Sequence, residues 1–405
     1  MNEKKKIVLA FSGGLDTTYC AIYLREELNY EVHAVLVNTG GFDEDEIAAV
    51  KVHAEKLGVS SFTCIDAKEE FYEKIIRFLL FGNILKNATY PLSVSAERSL
   101  QAMCIARYAK AIEATAIAHG STGAGNDQVR FDMVFQIITP ESEIITPIRD
   151  NKISREEEIQ YLKQHGVEMN FEKAAYSINK GIWGTSIGGR ETLTSHLSLP
   201  ELAYPSKLEN KDATSIELYF ESGELTRINN KQFDSRVDAI VYLNKLAGAY
   251  AIGRDIHMGD TIIGIKGRVG FEAPAALVMI KAHHALEKHV LTKWQLYWKD
   301  QLSYWYGNWL HEGQFLDPVM RNMEKFMEDT QQHVTGKVML QLHPYRFTVS
   351  GIESAFDLMS PEFGSYGEMN AGWSGEDVKG FTKIFGNQTS IYFKVQQQQE
   401  TDEKH

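Results

Sequence analysis

Residues 7–18, IVLAFSGGLDTT, constrain this chain more than any other stretch. Ile7, Val8, Leu9, Ala10 and Phe11 form an unbroken apolar run, the pattern of a strand buried on both faces. Gly13 and Gly14 follow at once, and a helical period opens at TTYCAIYLREEL. Glycines in such a turn let consecutive backbone N–H groups converge on one anion, and the helix N-terminus adds its dipole. Ser12 and Thr17 or Thr18 can donate hydroxyls to phosphate. Asp16 is an acid beside an anion site, so it either helps hold a magnesium ion or caps the helix. No GxxxxGK[ST] loop is present, which argues against transfer at a γ-phosphate.

The pattern continues as alternation. Residues 31–38 and 60–66 read as strands, 115–119 as a fourth short one, with helical segments between them. Strand–helix alternation predicts an α/β fold, a parallel doubly wound sheet with helices on both faces. Ligands in such sheets sit at the carboxyl ends of the strands. A second glycine-rich segment, HGSTGAGND at 119–127, falls at one of those ends, as SGGLDT at 12–17 does. Past about residue 165 the texture becomes α+β. A hairpin over 215–229 turns at Ser222-Gly223, a long aromatic-rich helical stretch runs from Ala275 to about His311, another helix covers 317–334, and a second hairpin covers 337–352. The predicted division is 1–165, 166–365 and 366–405. The last is an arm with Trp373, Phe381 and Phe385 that ends in QQQQETDEKH, a polar string expected to be disordered.

Composition narrows the partners. With 405 residues, 43% apolar and 24% charged, the chain has material for two cores. A net charge of −12 disfavours a nucleic-acid binder, although a local turn can still hold a small anion. Cys20, Cys64 and Cys104 include no CxxC spacing, which argues for reduced thiols and against a disulfide framework or a zinc site. No apolar run approaches a membrane span, and the basic start MNEKKK precedes too short an apolar run for a signal peptide, so a cytoplasmic protein is expected.

SGGLDT resembles the pyrophosphate-binding loop of N-type ATP pyrophosphatases. HGSTGAGNDQVRF at 119–131 is similar to the HGxTGKGNDQVRF of the argininosuccinate synthase family, and the likeness extends through YPLSVSAER at 90–98, YSINKGIWGTS at 176–186 and GIKGRVGFEAPA at 264–275. The resemblance implies a nucleotide-binding domain at 1–165, a synthetase and multimerisation domain at 166–365, and an oligomerisation arm. It implies an AMP-forming ligase of arginine biosynthesis: the ureido oxygen of citrulline attacks the α-phosphorus of ATP, and the aspartate amine displaces AMP from citrullyl-AMP. ATP with Mg2+ is the implied nucleotide and a homotetramer the implied assembly. Carried over by position, the ATP site is Ala10, Ser12, Gly13, Gly14, Asp16, Thr17, Thr18, Val37 and Gly120. The aspartate site is Thr122, Asn126 and Asp127, and the citrulline site is Tyr90, Ser95, Asn126, Arg130, Ser177 and Ser186. Asp127, Arg98 and Asp16 are the implied catalytic residues. Asp127 either accepts the amine proton or holds the ammonium, and Arg98 suits a substrate carboxylate. His119 is read as structural, and no metal-ligand set is expected in the protein itself.

Five positions in three places depart from the family pattern. Ala124 stands where the family has a lysine, so either another cation compensates or ATP binding is weaker. Asn179 and Gly181 replace acidic and amide residues. Gly259 and Phe271 stand where a citrulline-binding glutamate and tyrosine are expected. Loss of that carboxylate opens two alternatives to plain citrulline, namely the same chemistry on an Nα-acylated citrulline and a catalytically inactive nucleotide-binding sensor.

Overall fold

Strand β1 (Lys6–Ala10) buries Ile7, Val8 and Leu9 completely, and its side chains alternate between two cores. Ile7 and Leu9 join one hydrophobic cluster and Val8 the other. The computed structural model describes residues 4–170, 176–359, 364, 366, 367 and 372–402. After β1 come α1 (Leu15–Glu26), β2 (Glu31–Asn38), α2 (Glu44–Lys56), β3 (Ser61–Asp66), α3 (Lys68–Phe71), a π-helical turn (Tyr72–Ile76), α4 (Arg77–Phe81), α5 (Ser93–Ala111), β4 (Ala116–Ala118), α6 (Asp127–Ile138), β5 (Glu143–Ile145), α7 (Pro147–Asp150) and α8 (Arg155–Gln164). The strands pair in the order β3-β2-β1-β4-β5, all parallel. The chain steps outward from β1 to β3, then returns to lay β4 on the other side of β1. That reversal brings the loops after β1 and β4 side by side at the carboxyl ends of the strands, where ligands of such sheets sit. Strand β5 was not expected; three residues are too few to show a period.

The second part adds β6 (Tyr176–Asn179), β7 (Thr185–Gly189), β8 (Thr214–Glu221), β9 (Glu224–Ile228), β10 (Lys231–Gln232), α9 (Arg236–Gly248), β11 (Arg254–Asp260), β12 (Lys266–Glu272), α10 (Pro274–Val290), α11 (Lys293–His311), α12 (Pro318–Thr330), β13 (Gly336–His343) and β14 (Arg346–Glu353). Two antiparallel sheets result, β10-β9-β8-β13-β14 and β11-β12-β7-β6. The expected hairpin turns where predicted, with Ser222 and Gly223 at φ 48° and 81°, the left-handed pair a two-residue turn needs. The single long helix expected from Ala275 to His311 is two. Leu291 leaves helical geometry, and Thr292 opens α11 with its backbone N–H and hydroxyl both donating to the Gln295 carboxamide.

The larger cluster runs from one face of the parallel sheet through α4 and α5 into α10, α11, α12 and β13, so residues 1–356 form one unit with a shared core. Inside it lies a polar knot. Lys299 Nζ, fully buried, donates to Glu287 Oε2 and to the Phe81 carbonyl, each at 2.8 Å, and Gln331 Nε2 donates to Glu287 Oε1 at 2.8 Å. Burial pushes the Glu287 carboxyl up, but Lys299, His283 and Gln331 outweigh it and hold it below its usual range. The second unit, residues 357–405, carries α13 (Gly375–Phe385) and α14 (Asn387–Asp402). The glutamine string expected to be disordered is helical through residue 402, since glutamine loses little rotamer freedom in a helix; residues 403–405 lie outside the described residues. Among the described residues no helix is long and apolar enough to cross a membrane.

Candidate active site

A cavity of about 940 Å³ opens at the carboxyl ends of the paired strands β1 and β4, a size suited to small molecules. The loop after β1 supplies one side of it. Gly13 adopts φ +78°, and Gly14 caps α1 in extended geometry with no side-chain hydrogen bond to the helix. The capping role open to Asp16 is therefore not taken. First-turn N–H groups of a helix lack intrahelical acceptors, and here Gly14, Leu15, Asp16 and Thr17 all line the cavity. Thr17 donates its hydroxyl to the Gly14 carbonyl at 3.2 Å, with Ser12 Oγ 3.5 Å from Thr17 Oγ1. The loops after β1 and β4 touch: a Cβ on Gly120 would lie 3.2 Å from the Asp16 carbonyl carbon.

Of the residues expected at the nucleotide, Ala10, Ser12, Gly14, Asp16, Thr17, Val37 and Gly120 line this cavity, and Gly13 and Thr18 do not. Thr18 is fully buried and its hydroxyl is bonded to His53 Nε2 at 2.8 Å, so it is not available to phosphate. Gly13 shapes the turn through its left-handed backbone. Gly13→Ala places a β-carbon 3.2 Å from Val50 Cγ2 at a left-handed position, which costs an L-residue about 1–2 kcal/mol. The expected result is a KM for ATP raised about tenfold with little change for the other substrates; steady-state kinetics with ATP varied checks it, and an unchanged KM counts against the loop assignment.

Behind Asp16 sits Glu158 of α8, buried. Burial raises Asp16, while a hydrogen bond from Glu158 and the charge of Arg155 oppose the rise. Glu158 is pushed up to about 8 by burial and then by Asp16. Burial and the neighbouring carboxyl thus favour the protonated form of Glu158.

The loop after β4 is pinned by His119, whose Nε2 donates to Asp132 Oδ1 at 2.8 Å while its Nδ1 accepts from the Ser121 N–H at 3.2 Å. Both nitrogens are engaged, in line with the structural role expected of it. Asn126 accepts from the Ile262 N–H at 2.8 Å and so ties the loop to the β11–β12 turn. Asp127 begins α6 between two guanidiniums. Arg98 Nε donates to its Oδ2 at 3.0 Å and Arg130 Nη1 to its Oδ1 at 2.8 Å. Arg130 also sends Nε and Nη2 to the His311 carbonyl at 2.9 and 2.8 Å, at the C-terminal end of α11. Burial, then the charge of Arg130, pushes His311 down to about 2, so it stays neutral beside that guanidinium. Burial pushes the Asp127 carboxyl up, but Arg98 and Arg130 pull it below the usual carboxylate range. Its side chain remains 38% exposed, open to a ligand.

The second part supplies the other wall. Ser177 on β6 and Ser186 on β7 line the cavity, with Tyr90, Ser95, Thr122, Asn126 and Arg130. Ser93 donates to the Tyr90 hydroxyl at 2.7 Å, and Ser95 donates to the Leu92 carbonyl at 2.6 Å. Gly259 lines the cavity opposite Gly267 in the β11–β12 ladder. A Cβ at Gly259 would come within 2.5 Å of His257 Nε2, and the His257 ring stacks on Tyr90 with centroids 5.0 Å apart. His257 thus covers the spot a side chain at 259 would use. Phe271 is wholly buried, 5.4 Å from the Tyr90 ring, and does not line the cavity. Ala124 is exposed, and Arg155 and Lys180 are the cations that line the cavity from α8 and the β6–β7 loop.

Sequence reasoning missed Glu97, Thr39, Gln101 and His257, all of which line the cavity. Glu97 is 2% exposed. Its Oε2 accepts from the Thr39 hydroxyl at 2.7 Å and its Oε1 from Arg98 Nη1 at 3.0 Å. Among the described residues, no group of three or more His, Cys, Asp and Glu side chains could hold a metal ion.

Comparison with known proteins covers nearly all of the chain. The family model for the arginosuccinate synthase N-terminal HUP domain matches residues 6–168, and that for the arginosuccinate synthase C-terminal domain matches residues 176–392. The chain is 39% identical over 393 residues to the argininosuccinate synthase of Dictyoglomus turgidum, covering 96% of this chain and 98% of that one. It is 37% identical over 388 residues to the argininosuccinate synthase of Methanocaldococcus jannaschii (95% and 97%), and 34% identical over 405 residues to that of Xylella fastidiosa (97% and 98%).

Proposed function

The chain belongs to the argininosuccinate synthase family, and from that premise we propose that its cavity joins citrulline to aspartate with cleavage of ATP to AMP and pyrophosphate. The observation that carries this reading is the meeting of the glycine loop after β1 with the Arg98–Asp127–Arg130 cluster in one cavity. The phosphates of ATP lie on the amides of Gly14 to Thr17, with the base toward Ala10 and Val37. Asp16 would be the carboxylate to hold a magnesium ion brought with the nucleotide, and that ion would offset phosphate charge and the carboxylate charge that burial resists. Arg155 and Lys180 supply the positive charge that Ala124 does not.

Citrulline is held by Tyr90, Ser95, Asn126, Arg130, Ser177 and Ser186, which presents its ureido oxygen to the α-phosphorus. That oxygen is a weak nucleophile, so the rate rests on placement and on fixed charge, and no covalent enzyme intermediate is needed. Pyrophosphate leaves. Aspartate, held by Thr122, Asn126 and Asp127 with Arg98 nearby, then displaces AMP through its amine. Nothing in the relatives favours an Nα-acylated acceptor or an inactive sensor. An assembly of several copies is part of the reading, and the exposed Trp294, Trp298 and Trp305 of α11 support it.

Pyrophosphate release with substrates omitted one at a time tests the reaction. The expected result is one AMP and one pyrophosphate per argininosuccinate, with sustained turnover only when ATP, citrulline and aspartate are all present. ADP and phosphate as products, or turnover indifferent to citrulline, is the contrary result.

A further inference from the structure

The ligase step needs a proton acceptor. Aspartate enters as an ammonium, and an ammonium has no electron pair to form a bond. Asp127 is badly suited to take that proton: each of its oxygens already accepts from a guanidinium, at 3.0 and 2.8 Å. A carboxylate gripped by two cations stays an anion. It can hold the ammonium in place, but it is a poor base.

Glu97 is the other carboxylate on the same guanidinium. Arg98 donates from Nε to Asp127 and from Nη1 to Glu97 Oε1, so one planar group bridges the two acids. Gln101 orders the surroundings. Its Nε2 donates to Thr39 Oγ1 at 3.2 Å, which leaves the Thr39 hydrogen for Glu97 Oε2, and its Oε1 accepts from Arg98 Nη1 at 2.9 Å. The backbone of the β6–β7 loop closes over Glu97: a Cβ on Gly181 would lie 3.1 Å from Oε2. Glu97 is thus a buried carboxyl that lines the cavity and shares the Arg98 guanidinium with a second acid.

We propose that Glu97 accepts the proton of the aspartate ammonium, while Asp127 stays charged and holds that nitrogen. The inference rests on the ligase reading above. The N–H bond breaks toward the Glu97 carboxylate and the electron pair stays on nitrogen. That pair forms the C–N bond to the adenylylated ureido carbon. As the carbon–oxygen bond to AMP breaks, its pair leaves on the phosphate oxygen with the second amine proton, and the product keeps one guanidinium charge. Glu97 returns its proton to water when the products leave.

The electrostatics agree with this division. Burial raises Glu97 to about 7, against the pull of Arg98 and the Thr39 hydroxyl and with the push of Asp127. The charged groups facing it are Arg98 on its own helix and Asp127 on α6; the residue after β2 offers a hydroxyl and the β6–β7 loop offers backbone. A base with such a pKa is protonated below neutrality and competent above it, so the ligase step speeds up as pH rises through about 7.

Glu97→Gln is nearly isosteric and can still accept from Arg98 and pair with Thr39. The full-length variant is assayed for argininosuccinate formation from pH 5.5 to 9, and separately for citrulline-dependent exchange of labelled pyrophosphate into ATP, which reports adenylylation alone. The expected result is kcat for synthesis lowered about 10²–10³-fold, the rising limb near pH 7 abolished, KM for aspartate within about threefold, and exchange nearly unchanged. Glu97→Asp is expected to recover part of the rate with a shifted limb. Two results overturn the proposal: a limb that persists in Glu97→Gln, or equal losses of synthesis and exchange, which indicate a structural role. Absence of citrulline-dependent exchange in the unaltered protein overturns the ligase reading itself, so the two failures are distinguishable.

Discussion

Asp127→Asn is expected to lower kcat/KM for aspartate by about 10³-fold, some 4 kcal/mol of transition-state stabilisation. The carboxamide matches the shape of the carboxylate, but its NH2 faces a guanidinium, so Arg98 or Arg130 loses its acceptor. The anion that receives the ammonium is lost as well. The effect should fall on the second half of the reaction. KM for aspartate should rise, and citrulline-dependent exchange of pyrophosphate into ATP should fall far less. This separates Asp127 from Glu97, whose amide variant is expected to lose kcat and its pH limb while keeping aspartate affinity. Initial rates with aspartate varied are the check, and a loss below about fivefold would contradict an aspartate-binding role for this acid.

The largest stability effect is expected far from the cavity. Lys299→Met removes the lysine paired with Glu287, a side chain with no solvent exposure, and leaves a carboxylate buried with amide partners. Breaking a buried pair from one side costs about 3–5 kcal/mol. Urea unfolding should show a loss of that size, and the Phe81 carbonyl loses a donor in the same change. The double change Lys299→Met with Glu287→Gln should recover much of it, because the uncompensated charge disappears. A single variant as stable as the unaltered protein would show that the pair is not what holds α10, α11 and α4 together.

The sequence was most legible where backbone geometry dictates residue type. The apolar run of β1, the glycine turn after it and the second glycine loop after β4 each announce themselves, because the left-handed turn at Gly13 and the close approach at Gly120 both favour glycine. Sheet alternation and the Ser222-Gly223 turn were readable for the same reason. Short or glycine-rich strands were not. Strand β5 has three residues, and the β11–β12 hairpin hides its period behind Gly259, Gly264, Gly267 and Gly270, so position 259 was read as a site but the hairpin and its His257 were not. The break between α10 and α11 did leave a mark, Thr292 three residues before Gln295, but the apolar and aromatic pattern runs straight across it. Glu97 left no comparable mark. An acid beside an arginine on a helix is ordinarily a solvated pair, and only the packing of Thr39 and Gly181 over it makes it a buried group in the cavity. Thr18 went astray in the opposite sense: it belongs to the motif by position, yet His53 holds its hydroxyl in the core.

The central claim is that the loop after β1 places the α-phosphorus of ATP in front of the citrulline ureido oxygen. Citrulline labelled with oxygen-18 in the ureido group tests it most directly, with AMP and pyrophosphate recovered after a single turnover in the presence of ATP and aspartate. The account predicts one labelled oxygen in the phosphate of AMP and none in pyrophosphate. Unlabelled AMP, or label in pyrophosphate or inorganic phosphate, would contradict it.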